Sequence, residues 1–148
     1  MSAELSAGPT DNPGEFANVL ELRMSGDPAA IAAVTDTISD KLAQLHVPED
    51  KRMEIVLALQ EALANAVVHG CKNDSAKEVG VRLECYSSGR ILITVTDPGQ
   101  GFQPEGLSDP NRPENLHSNS GRGVYLIRQL MDEVSFENDG SQIRMWKY

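Results

Sequence analysis

Basic residues are scarce in this chain: 13 lysines and arginines stand against 22 aspartates and glutamates, a formal net charge of -9. That balance would repel nucleic acid or an anionic membrane surface, so neither is expected as a direct partner. A nucleoside triphosphate would be repelled too, unless a divalent cation and main-chain N–H groups offset the charge locally. Cysteine is nearly absent. Cys71 and Cys85 have no metal-like spacing, and a reduced, cytoplasmic compartment is the natural reading. No apolar run is long enough to span a bilayer. The first residues carry no basic segment followed by an apolar one, so no signal peptide is expected.

What remains is ordinary globular material: 148 residues, 40% of them hydrophobic, enough for one domain with a real core. Residues 1–15 are small and polar with two prolines, and read as a disordered tail before a domain over 16–148. Leu20, Leu22 and Met24 alternate with Glu21 and Arg23, which predicts a strand. Asp27-Pro28 suits the start of a helix running to about Leu45, and Val47-Pro48 starts a second that Gly70 ends. Val79–Tyr86 and Ile91–Thr96 read as paired strands. Residues 103–120, with three prolines, predict a long functional loop. A short helix from Gly123 to about Met131 and a last hairpin, Val134–Glu137 with Gln142–Lys147, complete the order. The expected fold is a two-layer α/β sandwich, a mostly antiparallel sheet with helices on one face.

The second helix is the most informative segment. Wound at about 100° per residue, it is apolar around most of its circumference, with a narrow stripe of Glu54, Ala58, Glu61, Asn65 and His69. So apolar a helix is expected to be largely buried, its stripe meeting solvent or lining a polar cavity. Glu61 and Asn65, four apart, point the same way. A carboxylate beside a carboxamide can hold a hydrated Mg²⁺, and the carboxylate can take a proton from an attacking hydroxyl. A merely solvated helix edge would look the same.

Two glycine-bearing segments follow. Asp97-Pro98-Gly99-Gln100-Gly101 comes directly after a predicted strand, where a carboxylate can accept from an exocyclic amine and glycines let the backbone come close. Ser120-Gly121-Arg122-Gly123 opens a predicted helix, whose free N–H groups make an anion site. Each alone is also met by an Asx-capped turn or a plain helix cap.

In this order and spacing, E-x-x-x-N, D-x-G-x-G and G-x-G resemble the N, G1 and G2 boxes of the GHKL ATP-binding fold. The stretches Gln60–Gly70 and Leu130–Val134 are most similar to anti-sigma-factor serine kinases, and the resemblance runs from about residue 16 to the end. It implies ATP and Mg²⁺ as cofactors. It implies Asn65 as the metal ligand and Glu61 as the base activating a partner's serine. Asp97 would bind the adenine amine in a pocket shaped by Gly99 and Gly101, and Gly121 and Gly123 would hold phosphates under a lid of residues 103–120. Ser141, after Gly140, would touch the adenine site, and Arg122 could supply charge where Asn119 replaces a basic residue common in the family. The implied partners are an anti-sigma-factor antagonist and a sigma factor, and a homodimer stays open. A non-catalytic nucleotide-dependent binding module is the alternative function.

Overall fold

The computed structural model describes residues 2–9, 16–99 and 119–148. Six strands form one sheet in the order β1-β2-β3-β4-β6-β5: β1 (Ser2–Pro9), β2 (Phe16–Ser25), β3 (Glu78–Tyr86), β4 (Ile91–Thr96), β5 (Glu133–Glu137) and β6 (Gln142–Lys147). Every neighbouring pair is antiparallel. Three helices, α1 (Ile31–Gln44), α2 (Glu49–Asn65) and α3 (Asn119–Leu130), complete the expected two-layer α/β sandwich.

Alternation sets the register. Leu22, Val81, Val95, Ile143 and Phe136 form one row across the sheet, and Leu20, Leu83, Ile93, Met145 and Val134 the next. These rows belong to a single core with Val34, Ile38 and Leu42 of α1, Ile55, Leu59 and Leu63 of α2, and Ile127 of α3. A one-residue slip would turn every one of them to the other face. On that other face Arg82 bridges Glu21 and Glu84, while Tyr86, Trp146 and Tyr148 stack in series. Leu92 pairs with Glu84 on one side and Trp146 on the other, and is buried there although it points away from the helices.

Local signals explain the helix starts. Asp27 accepts the Ala29 N–H at 2.9 Å and Pro28 opens a 3-10 turn, Pro28–Ala30, that leads into α1. At its far end α2 does not stop. It widens into a π-turn, Ala66–Gly70, in which the Cys71 N–H donates to Ala66 O at 2.9 Å. Such single π-turns insert one residue into a helix and recur at functional sites.

Three expectations need correction. Residues 2–9 are not a disordered tail but pair with β2 through register partners such as Leu5↔Leu20. Without them β2 would be an edge with open N–H and C=O groups, and main-chain pairing asks little of side chains. Residues 10–15 lie outside the described residues. Next, α3 begins at Asn119 rather than Gly123, since glycine costs a helix only about 1 kcal/mol and does not forbid one. Finally, α2 is not buried wherever it is apolar: Met53 is 58% exposed, Leu57 45% and Val68 48%. Of its polar stripe, Ala58 is buried, Glu54, Glu61 and Asn65 are half-buried and His69 is exposed, with Glu61 and Asn65 beneath Gly123 of α3.

Candidate functional site

The stripe on α2 places Glu61 and Asn65 half-buried in its last two turns. Gly123 of α3 lies directly over them. A side chain built on Gly123 would put its Cβ 3.1 Å from Glu61 Oε2 and 3.4 Å from Asn65 Nδ2. The absence of that side chain lets α3 close on the polar pair. Because α3 starts at Asn119, Gly121 falls in its first turn, among the N–H groups without an intrahelical acceptor, and Gly123 sits deeper. The backbone of Arg122 lies between them.

Asp97 follows β4 and is half-buried. Its N–H donates to Ser141 O at 2.9 Å, tying it to the turn before β6. Its Oδ1 accepts the Gly99 N–H at 2.8 Å. Burial raises the carboxyl above its ordinary pKa, and the Gly99 N–H and the charge of His69 partly oppose that rise. Ser141 stands beyond a 3-10 turn, Asn138–Gly140, whose Asn138 and Gly140 have φ of 53° and 92°. That left-handed geometry suits asparagine and glycine. The Ser141 hydroxyl donates to Asn138 O at 2.9 Å.

Asn65, Asp97, Ser141 and Phe136 line one narrow cleft, about 20 Å³ in volume. Its apolar walls come from Ala62 and Ala66 on α2 and from Val95 and Ile143 on the sheet. That is room for about one water, less than a purine needs. The structure thus brings Glu61, Asn65 and Gly123 together at the α2–α3 seam, and Asp97, Gly99 and Ser141 at the end of β4. Asn65 belongs to both groups. Gly101 and most of the 103–120 segment lie outside the described residues. Sequence reasoning missed Phe136, Ala62 and Ala66. The two alanines could have been found, since small residues three before and one after Asn65 flank it on the helix. Among the described residues no cluster of three histidine, cysteine or acidic side chains could hold a metal by itself, and no helix is long and apolar enough to cross a membrane.

The fold and the order of these elements match an ATPase domain class. The profile of the histidine kinase-like ATPase domain matches residues 24–147. The chain belongs to that family. Among curated proteins it is 30% identical over 139 residues to the serine-protein kinase RsbW of Bacillus subtilis (strain 168), covering 89% of this chain and 86% of that protein. The RsbW of Bacillus licheniformis is 31% identical over 140 residues, covering 89% and 86%. That of Staphylococcus epidermidis is 30% identical over 138 residues, covering 87% and 86%.

Proposed function

We propose that this chain is a serine-protein kinase of a partner-switching system: it phosphorylates an anti-sigma-factor antagonist and holds a sigma factor in the alternate state. One observation carries the reading. Glu61 Oε2 and Asn65 sit side by side under Gly123, and Asn65 also lines a cleft with Asp97. The similarity to serine-protein kinases over nearly the whole chain supports it.

In this reading adenine enters the cleft, its amino group donating to Asp97, with Ser141 beside it and Gly99 and Gly101 shaping the turn. The triphosphate lies toward the start of α3, where Gly121, Arg122 and Gly123 receive it. Asn65, a single carboxamide oxygen beside a carboxylate, fits Mg²⁺, which keeps several waters and takes phosphate oxygens rather than a full protein cage. When bound, that ion would neutralise charge on the phosphates. Glu61 accepts the proton of the partner's serine hydroxyl as its oxygen bonds to the γ-phosphorus. The bond from that phosphorus to the β-γ bridging oxygen breaks, and ADP leaves. A reducing cytoplasm suits the two free thiols.

The test is radiolabelled ATP with Mg²⁺ and candidate antagonist domains, scored beside a pull-down of the same partners. Label on a partner serine supports the kinase. Asn119, where the family often has a basic residue, favours the second reading, a module that binds nucleotide and sequesters a partner. That reading predicts capture of the partner with no label transferred.

A further inference from the structure

Gly70, the last residue of the π-turn, is buried, and its φ is outside the left-handed region, which among the described glycines holds only Gly89 and Gly140. Its backbone therefore does not call for glycine. Its surroundings do. A Cβ built there would stand 2.2 Å from Cγ, 2.4 Å from Oδ1 and 2.5 Å from Cβ of Asp97, so the three nearest atoms all belong to one carboxyl side chain. Real non-bonded carbon contacts do not come that close. Gly99 closes the other side: its own built Cβ would meet Gly70 Cα at 2.8 Å, Gly70 O at 2.9 Å and Asp97 Oδ1 at 3.0 Å. Two glycines and one carboxyl group form a single packed unit.

We propose that Gly70 is a positioning residue for base selection: by having no side chain it seats Asp97 with Oδ1 bonded to Gly99 and leaves Oδ2 to read one amino group. This rests on Asp97 being the base contact. The main chain of Asp97 is fixed by its bond to Ser141 O, so the side chain is the part that would yield. With Oδ1 taken by Gly99, and Oδ2 accepting from no described residue, the carboxylate offers one acceptor to the cleft. An acceptor-only atom welcomes the amino group of adenine and is repelled by the carbonyl at the same place on guanine. A methyl group at position 70 would push the carboxyl off this seat and turn Oδ2 away. The π-turn brings residue 70 there. Continued as a plain α-helix, the chain would present a different residue to Asp97.

The experiment is competition of ATP and of GTP, each with Mg²⁺, against a fluorescent ATP analogue, on wild type, Gly70→Ala, Asp97→Asn and the double variant. Gly70→Ala should lose at least tenfold in ATP affinity with GTP affinity changed less than twofold. In the Asp97→Asn background the same substitution should add less than twofold. A retained ATP/GTP ratio in Gly70→Ala, or equal losses for both nucleotides, overturns the inference. If Asp97→Asn keeps the ratio, the base reading falls and takes this inference with it. If Asp97→Asn loses the ratio and Gly70→Ala keeps it, only this inference falls. Should Gly70→Ala fail to fold, Gly99→Ala crowds the same carboxyl from the other side and takes its place, and a retained ratio there overturns the proposal equally.

Discussion

Glu54 and Glu61 lie two turns apart on one stripe of α2, both beneath α3, and their surroundings are opposite. At the Glu54 end Lys147 reaches across from β6, donating to Glu54 Oε2 at 2.9 Å and to Leu130 O at 2.5 Å. One ammonium neutralises the carboxylate and satisfies a carbonyl at the end of α3. At the Glu61 end the described residues supply neither a cation nor a hydrogen-bond partner to Glu61 or Asn65, and Gly123 lies over the pair. The first end is a finished contact. The second holds two half-buried polar groups that no described residue pairs, which is the arrangement expected where a ligand completes the set.

The sharpest way to break this comparison is to neutralise each carboxylate in turn. Glu61→Gln should reduce phosphoryl transfer to the partner serine by about 10²–10⁴-fold, some 2.7–5.5 kcal/mol, while ATP affinity holds. Glu54→Gln should leave the rate within about threefold. Equal rates for both variants in a single-turnover assay would erase the distinction. Next in size, Asn65→Ala should lower ATP affinity in Mg²⁺ by at least about tenfold, or 1.4 kcal/mol, with unfolding unchanged. A loss that calorimetry finds equally in EDTA would remove the metal role.

Lys147→Met probes the finished end. It strands a carbonyl and a half-exposed carboxylate, so urea denaturation should show a loss of about 1–2 kcal/mol, with ATP affinity unaltered. The smallest effect concerns Asp97. Burial raises its carboxyl, so the folded state holds that proton more tightly than the unfolded chain. The stability this contributes is present below the unfolded value and is lost as pH rises through the folded one. Asp97→Asn, which cannot ionise yet can still accept from Gly99, should therefore unfold at a higher temperature than wild type near pH 7. That gain should vanish below the ordinary aspartate value of about 3.9. An unchanged difference across pH would mean the charge at Asp97 is not strained by burial.

Much of this fold could be read from periodicity. The strands at Leu20–Met24, Val79–Tyr86 and Ile91–Thr96 follow their alternation, and Asp27-Pro28 marks the helix start it was expected to mark. The stripe on α2 was legible as a stripe, but not as a closed end and an open one. That difference depends on Lys147, 93 positions from Glu54 in the chain, and helical periodicity carries no such information. The wheel also misled about exposure, since apolar Met53 and Leu57 face solvent while polar Glu61 and Asn65 are half-buried. A constant 100° step loses validity at Ala66, where the π-turn shifts everything after it. The environment of Gly70 was hidden for that reason. β1 was hidden for another, because pairing through the main chain leaves little mark on composition.

The two thiols stand at opposite ends of the molecule. Cys71, fully buried, packs behind the Asp97 turn, and a Cβ on Gly26 would come within 2.6 Å of its own Cβ. Cys85 lies at the far end of β3, paired with Ile91, its thiol pushed up by burial to about 11. Neither forms a reactive thiolate near neutral pH while enclosed. Alkylation therefore counts openings, and each cysteine keeps time for its own half of the protein. The ratio of their labelling rates says which half breathes first, and how far a bound nucleotide slows the half that holds it.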